Sequence, residues 1–220
     1  MFLSRMSVMK QAVLLLLLLA ALCTDAAPTP EECSSLNKRL LTKDLHTVYG
    51  DWVLVWAASD DPKELINQTA SSHVELRLRS DNKTMEYNER NYFLDKSCIT
   101  FWFNVSLPAD PTDAQHHTLD IKGVLQEKEG VVRRYNETGK IDIYESCPDC
   151  LMMVYIEPTY RYLLSYRREG QHGDVEQQKA AHSDHRKRAE CLGLPHDDAF
   201  AYDGIADFCH KKSAPAAAES

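Results

Sequence analysis

From residue 50 to residue 168 the chain is a succession of short runs in which apolar and polar positions alternate. In "HVELRLR" (73–79), Val74, Leu76 and Leu78 fall on one face and Glu75, Arg77 and Arg79 on the other, the two-residue period of a half-buried strand. "GDWVLVWAA" (50–58), "KTMEYNERNYF" (83–93), "CITFWFNVSL" (98–107), "HTLDIKGVLQ" (117–126), "GVVRRY" (130–135), "GKIDIYES" (139–146), "LMMVYI" (151–156) and "YRYLLSY" (160–166) add further runs, several of them rich in aromatic and β-branched residues. Turn signals separate them at Asp81-Asn82, Glu129-Gly130, Glu137-Thr138-Gly139 and Glu157-Pro158. Eight or nine short strands on short turns predict an all-β domain, an up-and-down barrel or a sandwich. A helix is expected next, capped by Asp174 with Gln177 three residues on, its one face carrying His182, His185, Ala189 and Leu192. Residues 211–220, "KKSAPAAAES", read as a disordered tail.

Before residue 27 the pattern changes to that of a signal peptide. Arg5 and Lys10 precede the apolar run from Ala12 to Leu22, and small residues follow it. That run is short of the ~20 apolar residues of a membrane span. The expectation is therefore a secreted protein without a membrane anchor, its single domain covering residues 27–210. Removing residues 1–26 leaves 23 Lys+Arg against 32 Asp+Glu, a net charge of −9 that disfavours nucleic acid as a partner. It also leaves six cysteines, an even set suited to an oxidising compartment. Four sequons, at Asn67, Asn82, Asn104 and Asn136, point to an N-glycosylated chain. A glycan on Asn104 requires that side chain to face solvent. Alternation then turns Ile99, Phe101, Phe103 and Val105 inward and Trp102 outward, where the helix would cover it.

Cys147-Pro148-Asp149-Cys150 leaves three chemistries open. A redox dithiol needs a stabilised thiolate, ordinarily at a helix N-terminus in a βαβ setting, whereas both flanks here read as strands. A zinc site needs two further ligands at matching spacing, and His172, His182, His185 and His196 are scattered. A stapled turn between two strands needs nothing more. The expectation is no metal and no cofactor.

"VYGDWVLVWAAS" (48–59) carries Gly50-x-Trp52 at the head of the first strand, and "AECLGLPHDDAFAYDGIADFC" (189–209) follows the helix. In that order the two stretches resemble the lipocalins, eight-stranded barrels with one open end, and within them the α1-acid glycoprotein and apolipoprotein M type. The likeness is greatest to the fish branch of that group, the saxitoxin- and tetrodotoxin-binding and tributyltin-binding proteins, and covers about residues 30–210. It implies an eight-stranded up-and-down barrel with the C-terminal α-helix packed outside and Trp52 across the closed end. It implies pairing of Cys33 with Cys191 and of Cys98 with Cys209, each closing a loop long enough to contribute on the order of 4–5 kcal/mol by chain entropy. Cys147 and Cys150 then most simply bond each other. Two departures stand out: residues 107–118 look inserted, and no final strand is visible in "EGQHGDVEQQKAAHSDH" after Tyr166.

The resemblance implies a monomeric carrier, not an enzyme, holding one small molecule, a lipophilic compound or a toxin, in a body fluid such as plasma. Alternation supplies Val74, Leu76, Leu78, Ile99, Phe101, Phe103, Tyr162, Leu164 and Tyr166 as inward candidates for the ligand, residues that would equally fill a packed core. Arg134 is the polar anchor implied by the resemblance and suits an anion. Glu86, Glu89 or Asp120 turned inward would suit a cation, such as the guanidinium toxins. An isomerase with a cavity thiol is the enzymatic alternative. The other is a surface-acting immunomodulatory or lipoprotein-associated glycoprotein, which an exposed Trp102 would favour.

Overall fold

The computed structural model describes residues 27–61, 65–135 and 138–211. Ten antiparallel strands form one sheet that closes on itself: β1 Gly50–Ser59, β2 Thr69–Leu78, β3 Thr84–Phe93, β4 Cys98–Ser106, β5 Leu119–Lys128, β6 Val131–Arg134, β7 Lys140–Tyr144, β8 Cys150–Ile156, β9 Arg161–Arg168 and β10 Phe200–Ala201. All nine alternating runs become strands. The barrel nevertheless has eight staves, because β6 and β7 share one. β6 pairs with the far half of β5 (Leu125 opposite Arg134) and β7 with its near half (Leu119 opposite Ile141). At Gly139, just before β7, a Cβ would meet the Tyr155 ring and the Glu157 carboxylate within 3 Å.

No strand is missing after Tyr166. β9 itself closes the barrel against β1, Leu54 facing Tyr166 and Ala57 facing Leu164. The segment 107–118 joins β4 to β5 at the closed end, where Gln115 and Asp113 accept backbone bonds from Thr42 and Lys43 of the N-terminal segment. It adds nothing to the mouth.

Trp52 plugs the closed end at 1 % exposure. Its Nε1 donates to the Val48 carbonyl at 2.8 Å, and the Arg168 guanidinium lies 4.2 Å from its ring centroid, a cation–π contact. Gly50, at φ +142°, leaves room for that guanidinium, into which a Cβ would run. Above the plug, Val74, Leu76, Met85 and Val105 complete an aliphatic floor.

The C-terminal helix α3 (Val175–Cys191), after α1 (Pro30–Leu36) and α2 (Leu65–Gln68), starts at Asp174, whose carboxylate accepts from Gln177 N at 3.0 Å. It packs outside the barrel over Trp56, Met152, Val154 and Leu163, which is why "LMMVYI" is apolar on both faces. The tryptophan under the helix is thus Trp56, not Trp102. Trp102 is nevertheless buried, at 3 % exposure. Disulfides Cys33–Cys191 and Cys98–Cys209 tie the N-terminal helix to α3 and the C-terminal segment to β4, and Cys147–Cys150 closes the β7–β8 turn. Among the described residues no helix is long and apolar enough to cross a membrane.

Candidate ligand-binding site

β3 carries the change from floor to cavity. Its inward residues run Met85, Tyr87, Glu89, Asn91, Phe93, from aliphatic to polar-aromatic within one strand. Pairing with β4 sets Tyr87 opposite Phe103, Glu89 opposite Phe101 and Asn91 opposite Ile99. These groups, with Leu164 and Tyr166 of β9 and Tyr135, Tyr155, Tyr160 and Tyr162 nearer the mouth, enclose a cavity of about 260 Å³.

Two carboxylates line it, Glu89 and Asp61, and among the described residues no Lys, Arg or His does. Glu89 accepts a hydrogen bond from Asn91 Nδ2 at 2.5 Å and one from the Tyr87 hydroxyl. Burial nonetheless raises its proton affinity above that of an ordinary carboxyl, the two hydrogen bonds offsetting only part of the lost hydration. Tyr87 and Tyr166, hydroxyls 3.3 Å apart, are held neutral by burial and by Glu89 beside them. The Tyr87 ring stacks on Phe103 with centroids 4.2 Å apart, and Phe101 meets Tyr135 edge-on at 6.1 Å. At the mouth the Tyr162 hydroxyl donates to Asp61, and burial followed by this carboxylate raises the tyrosine's pKa. The site is an aromatic sleeve with one carboxyl group at its depth and another at its rim.

Ile99, Phe101, Phe103, Tyr162, Leu164 and Tyr166 line this cavity as the alternation predicts. Val74 and Leu76 point inward but belong to the floor below it, fully buried around Trp52. Leu78 is 42 % exposed, because β2 runs past the closed end before it turns. Arg134 is no anchor. It lies opposite Leu125 on the outer face of β5–β6 and is exposed, and Tyr135, the next residue, takes the inward position. Of the three acids, Glu86 pairs outside with Arg79 at 3.6 Å, Asp120 faces solvent near Lys140, and only Glu89 enters the cavity. The cavity is also lined by Asp61, Tyr87, Asn91, Gln126, Tyr135, Tyr155 and Tyr160, which the alternation does not single out; pairing of β3 with β4 identifies Tyr87 and Asn91.

Asn67 and Asn82 are exposed and Asn104 is half-buried on the outer face opposite Lys122; Asn136, the signal peptide and residues 212–220 lie outside the described residues. Lys211, expected in the tail, is instead anchored by Asp51 at 3.2 Å and Glu75 at 3.5 Å. It sits beside a cluster of Asp51, His73 and Glu169 on the outer wall, the one group of possible metal donors among the described residues. The donor set does not suit a metal. His73 Nδ1 lies 2.6 Å from Arg90, which can only donate, so the neutral ring carries its proton on Nε2, the atom that faces Glu169 at 3.4 Å. Burial, then Arg90, keeps that ring neutral. The Lys211 ammonium already supplies the positive charge.

No family model matches the chain. Over 202 residues it is 46 % identical to saxitoxin and tetrodotoxin-binding protein 2 of Takifugu pardalis and 45 % identical to protein 1 of the same fish. In both cases the match covers 91 % of this chain and 50 % of the relative, so the chain spans about half the length of the curated relatives it matches. Among solved structures, lipocalin 12 from rat epididymis superposes with a TM-score of 0.51 at 11 % identity, covering 76 % of this chain and 89 % of that one. The fold is the closed eight-stranded lipocalin barrel with its C-terminal helix outside, and over the matched residues the chain is similar in sequence to the saxitoxin and tetrodotoxin-binding proteins.

Proposed function

We propose that this protein is a secreted, N-glycosylated carrier that holds a small organic cation in its barrel, with Glu89 as the anchoring charge. The observation that carries the reading is a carboxylate deep in an aromatic cavity whose described lining has no basic side chain. A carboxylate so placed is costly unless a cation joins it, and a flat delocalised cation can bond it twice while stacking on rings. Tyr87, Phe103 and Phe101 offer those ring faces, and Asp61 with its tyrosines offers a second polar contact at the rim. The relatives' names support a toxin of the saxitoxin and tetrodotoxin kind as ligand. All six cysteines of the mature chain are paired, and none of them lines the cavity, which leaves the isomerase alternative without its thiol. Burial of Trp102 likewise removes the exposed aromatic that a surface-acting glycoprotein would use.

Isothermal titration calorimetry with tetrodotoxin and with saxitoxin tests the reading. Saturable one-to-one binding to the wild-type chain, weakened about 30-fold or more in Glu89→Gln, is expected, since removing one member of a buried charge pair costs ~2 kcal/mol or more. Equal affinity in both proteins would remove Glu89 as the anchor, and a fatty acid binding where neither toxin does would replace the cation with a lipid.

A further inference from the structure

The Cys147–Cys150 turn plays no part in the cavity, and its surroundings are those of reactive rather than inert sulfur. Cys147 is exposed at the closed end of the barrel and Cys150 is half-buried at the start of β8. Arg167 sits opposite Cys150 in the β8–β9 register, and its guanidinium donates to the Cys147 sulfur at 3.3 Å. A positive charge on an accessible sulfur is what stabilises a thiolate. The remaining charges near the turn are neutralised in pairs. Asp149 faces Arg168 at 3.5 Å, and Glu145 faces Lys38 at 2.9 Å.

The turn is also held by hydrogen bonds that do not involve the sulfurs. Cys150 N donates to the Cys147 carbonyl at 2.9 Å, the Ser146 hydroxyl donates to the Cys150 carbonyl at 2.9 Å, and Arg168 N donates to the Asp149 carbonyl at 3.0 Å. The bond spans a sequence separation of 3, against 158 and 111 for the other two. Opening it therefore restores the least chain entropy of the three and releases no distant segment.

We propose that Cys147–Cys150 is a thiol–disulfide exchange site for low-molecular-weight thiols, with Cys147 as the exchanging sulfur and Arg167 as the group that stabilises its thiolate. A small thiolate attacks the Cys147 sulfur. A mixed disulfide forms there, and the Cys147–Cys150 bond breaks, with Cys150 leaving as a thiolate that takes a proton from water. A second small thiolate then attacks the small-molecule sulfur of the mixed disulfide and expels Cys147 as a thiolate beside Arg167. Two thiols become one disulfide, and the protein gains their two electrons. The reverse sequence lets the reduced turn open a small disulfide, Cys147 attacking and Cys150 resolving.

The test is to equilibrate the full glycosylated chain in glutathione buffers of graded redox ratio, quench with acid, alkylate, and map the peptides by mass. The expected result is labelling of Cys147 and Cys150, with glutathione trapped on Cys147, at ratios that leave Cys33–Cys191 and Cys98–Cys209 closed and the circular dichroism unchanged. In the reduced turn, Arg167→Gln should raise the pH midpoint of Cys147 alkylation by about one unit, and Arg167→Lys should restore it. Reduction of all three disulfides together, glutathione trapped on Cys150, or an unmoved alkylation profile in Arg167→Gln would each overturn the proposal.

Discussion

The two ends of the barrel are built by the same strands and do opposite things. At the closed end the inward positions are Trp52, Val74, Leu76, Met85 and Val105, aliphatic and aromatic groups packed to near-zero exposure under the Arg168 guanidinium. At the open end the same alternation continues through Tyr87, Glu89, Asn91, Phe101 and Ser72, which line the cavity. At the closed end the polar atom of the plug is matched internally, Trp52 Nε1 donating to the Val48 carbonyl. The open end holds a carboxyl group, Glu89, whose proton affinity burial raises. A binding site in such a barrel is the height at which inward residues change from aliphatic to polar-aromatic.

Truncation separates the ends most sharply. Trp52→Ala should cost ~3–5 kcal/mol of stability, the range for deleting a large buried aromatic, and chemical denaturation would read it. If this variant kept wild-type stability, the plug would not be the structural half of the barrel.

The helix-covered wall belongs with the closed end in kind, and acid reports on it. His185 stacks on Trp56 at 5.3 Å, and burial, followed by His182, Arg188 and Arg167, drops its pKa to about 4. The unfolded chain therefore binds this proton first as pH falls. Stability held above pH ~6.5 is lost on the way down to pH 4, by roughly 3 kcal/mol in all. Denaturation at several pH values should show that loss, and His185→Phe, which keeps a ring but cannot titrate, should shrink it. A pH slope unchanged in the variant would assign the acid sensitivity elsewhere.

At the open end the sign reverses. Glu89 has a folded pKa above its unfolded one, so its contribution is fully present below the unfolded pKa and is lost as pH rises through the folded pKa. Glu89→Gln mimics the neutral acid. It should leave the empty barrel at least as stable as wild type at neutral pH while binding of the cation falls about 30-fold or more. A thermal midpoint several degrees lower would make Glu89 part of the fold rather than part of the site.

Phe101→Ala should show a small structural effect, about 1 kcal/mol, because its half-buried ring faces the cavity rather than close-packed neighbours. Its expected signature is weaker ligand binding in a barrel that still melts cooperatively. Tyr166→Ala, by contrast, should damage both, since that ring is 1 % exposed and its hydroxyl meets Tyr87. Equal stability losses in the two variants would erase the distinction between sleeve and core.

The strands were legible because alternation reports the face on which a residue lies. It does not report height along the barrel, which is why it groups Val74 and Leu76 with the ligand-facing residues although they form the floor. Leu78 shows the same limit carried past the end of the barrel. The stave shared by β6 and β7 is hidden because both halves look like complete strands, and only pairing with β5 shows that Arg134 faces outward and Tyr135 inward. Glu89 was one of three acids that alternation could not separate, since "KTMEYNERNYF" has polar residues on both faces. Pairing with β4, which sets Glu89 opposite Phe101, decides it.

The central claim, that Glu89 binds a cation as its ionised form, is tested most directly by counting protons. Titrating the wild-type chain with tetrodotoxin between pH 5 and pH 7, in buffers of different ionisation enthalpy, gives the number of protons released per ligand bound. The account predicts release that grows as pH falls through this range, accompanied by weaker affinity, and no such release in Glu89→Gln. Tight binding without proton release, equal in the two proteins across the range, would contradict it.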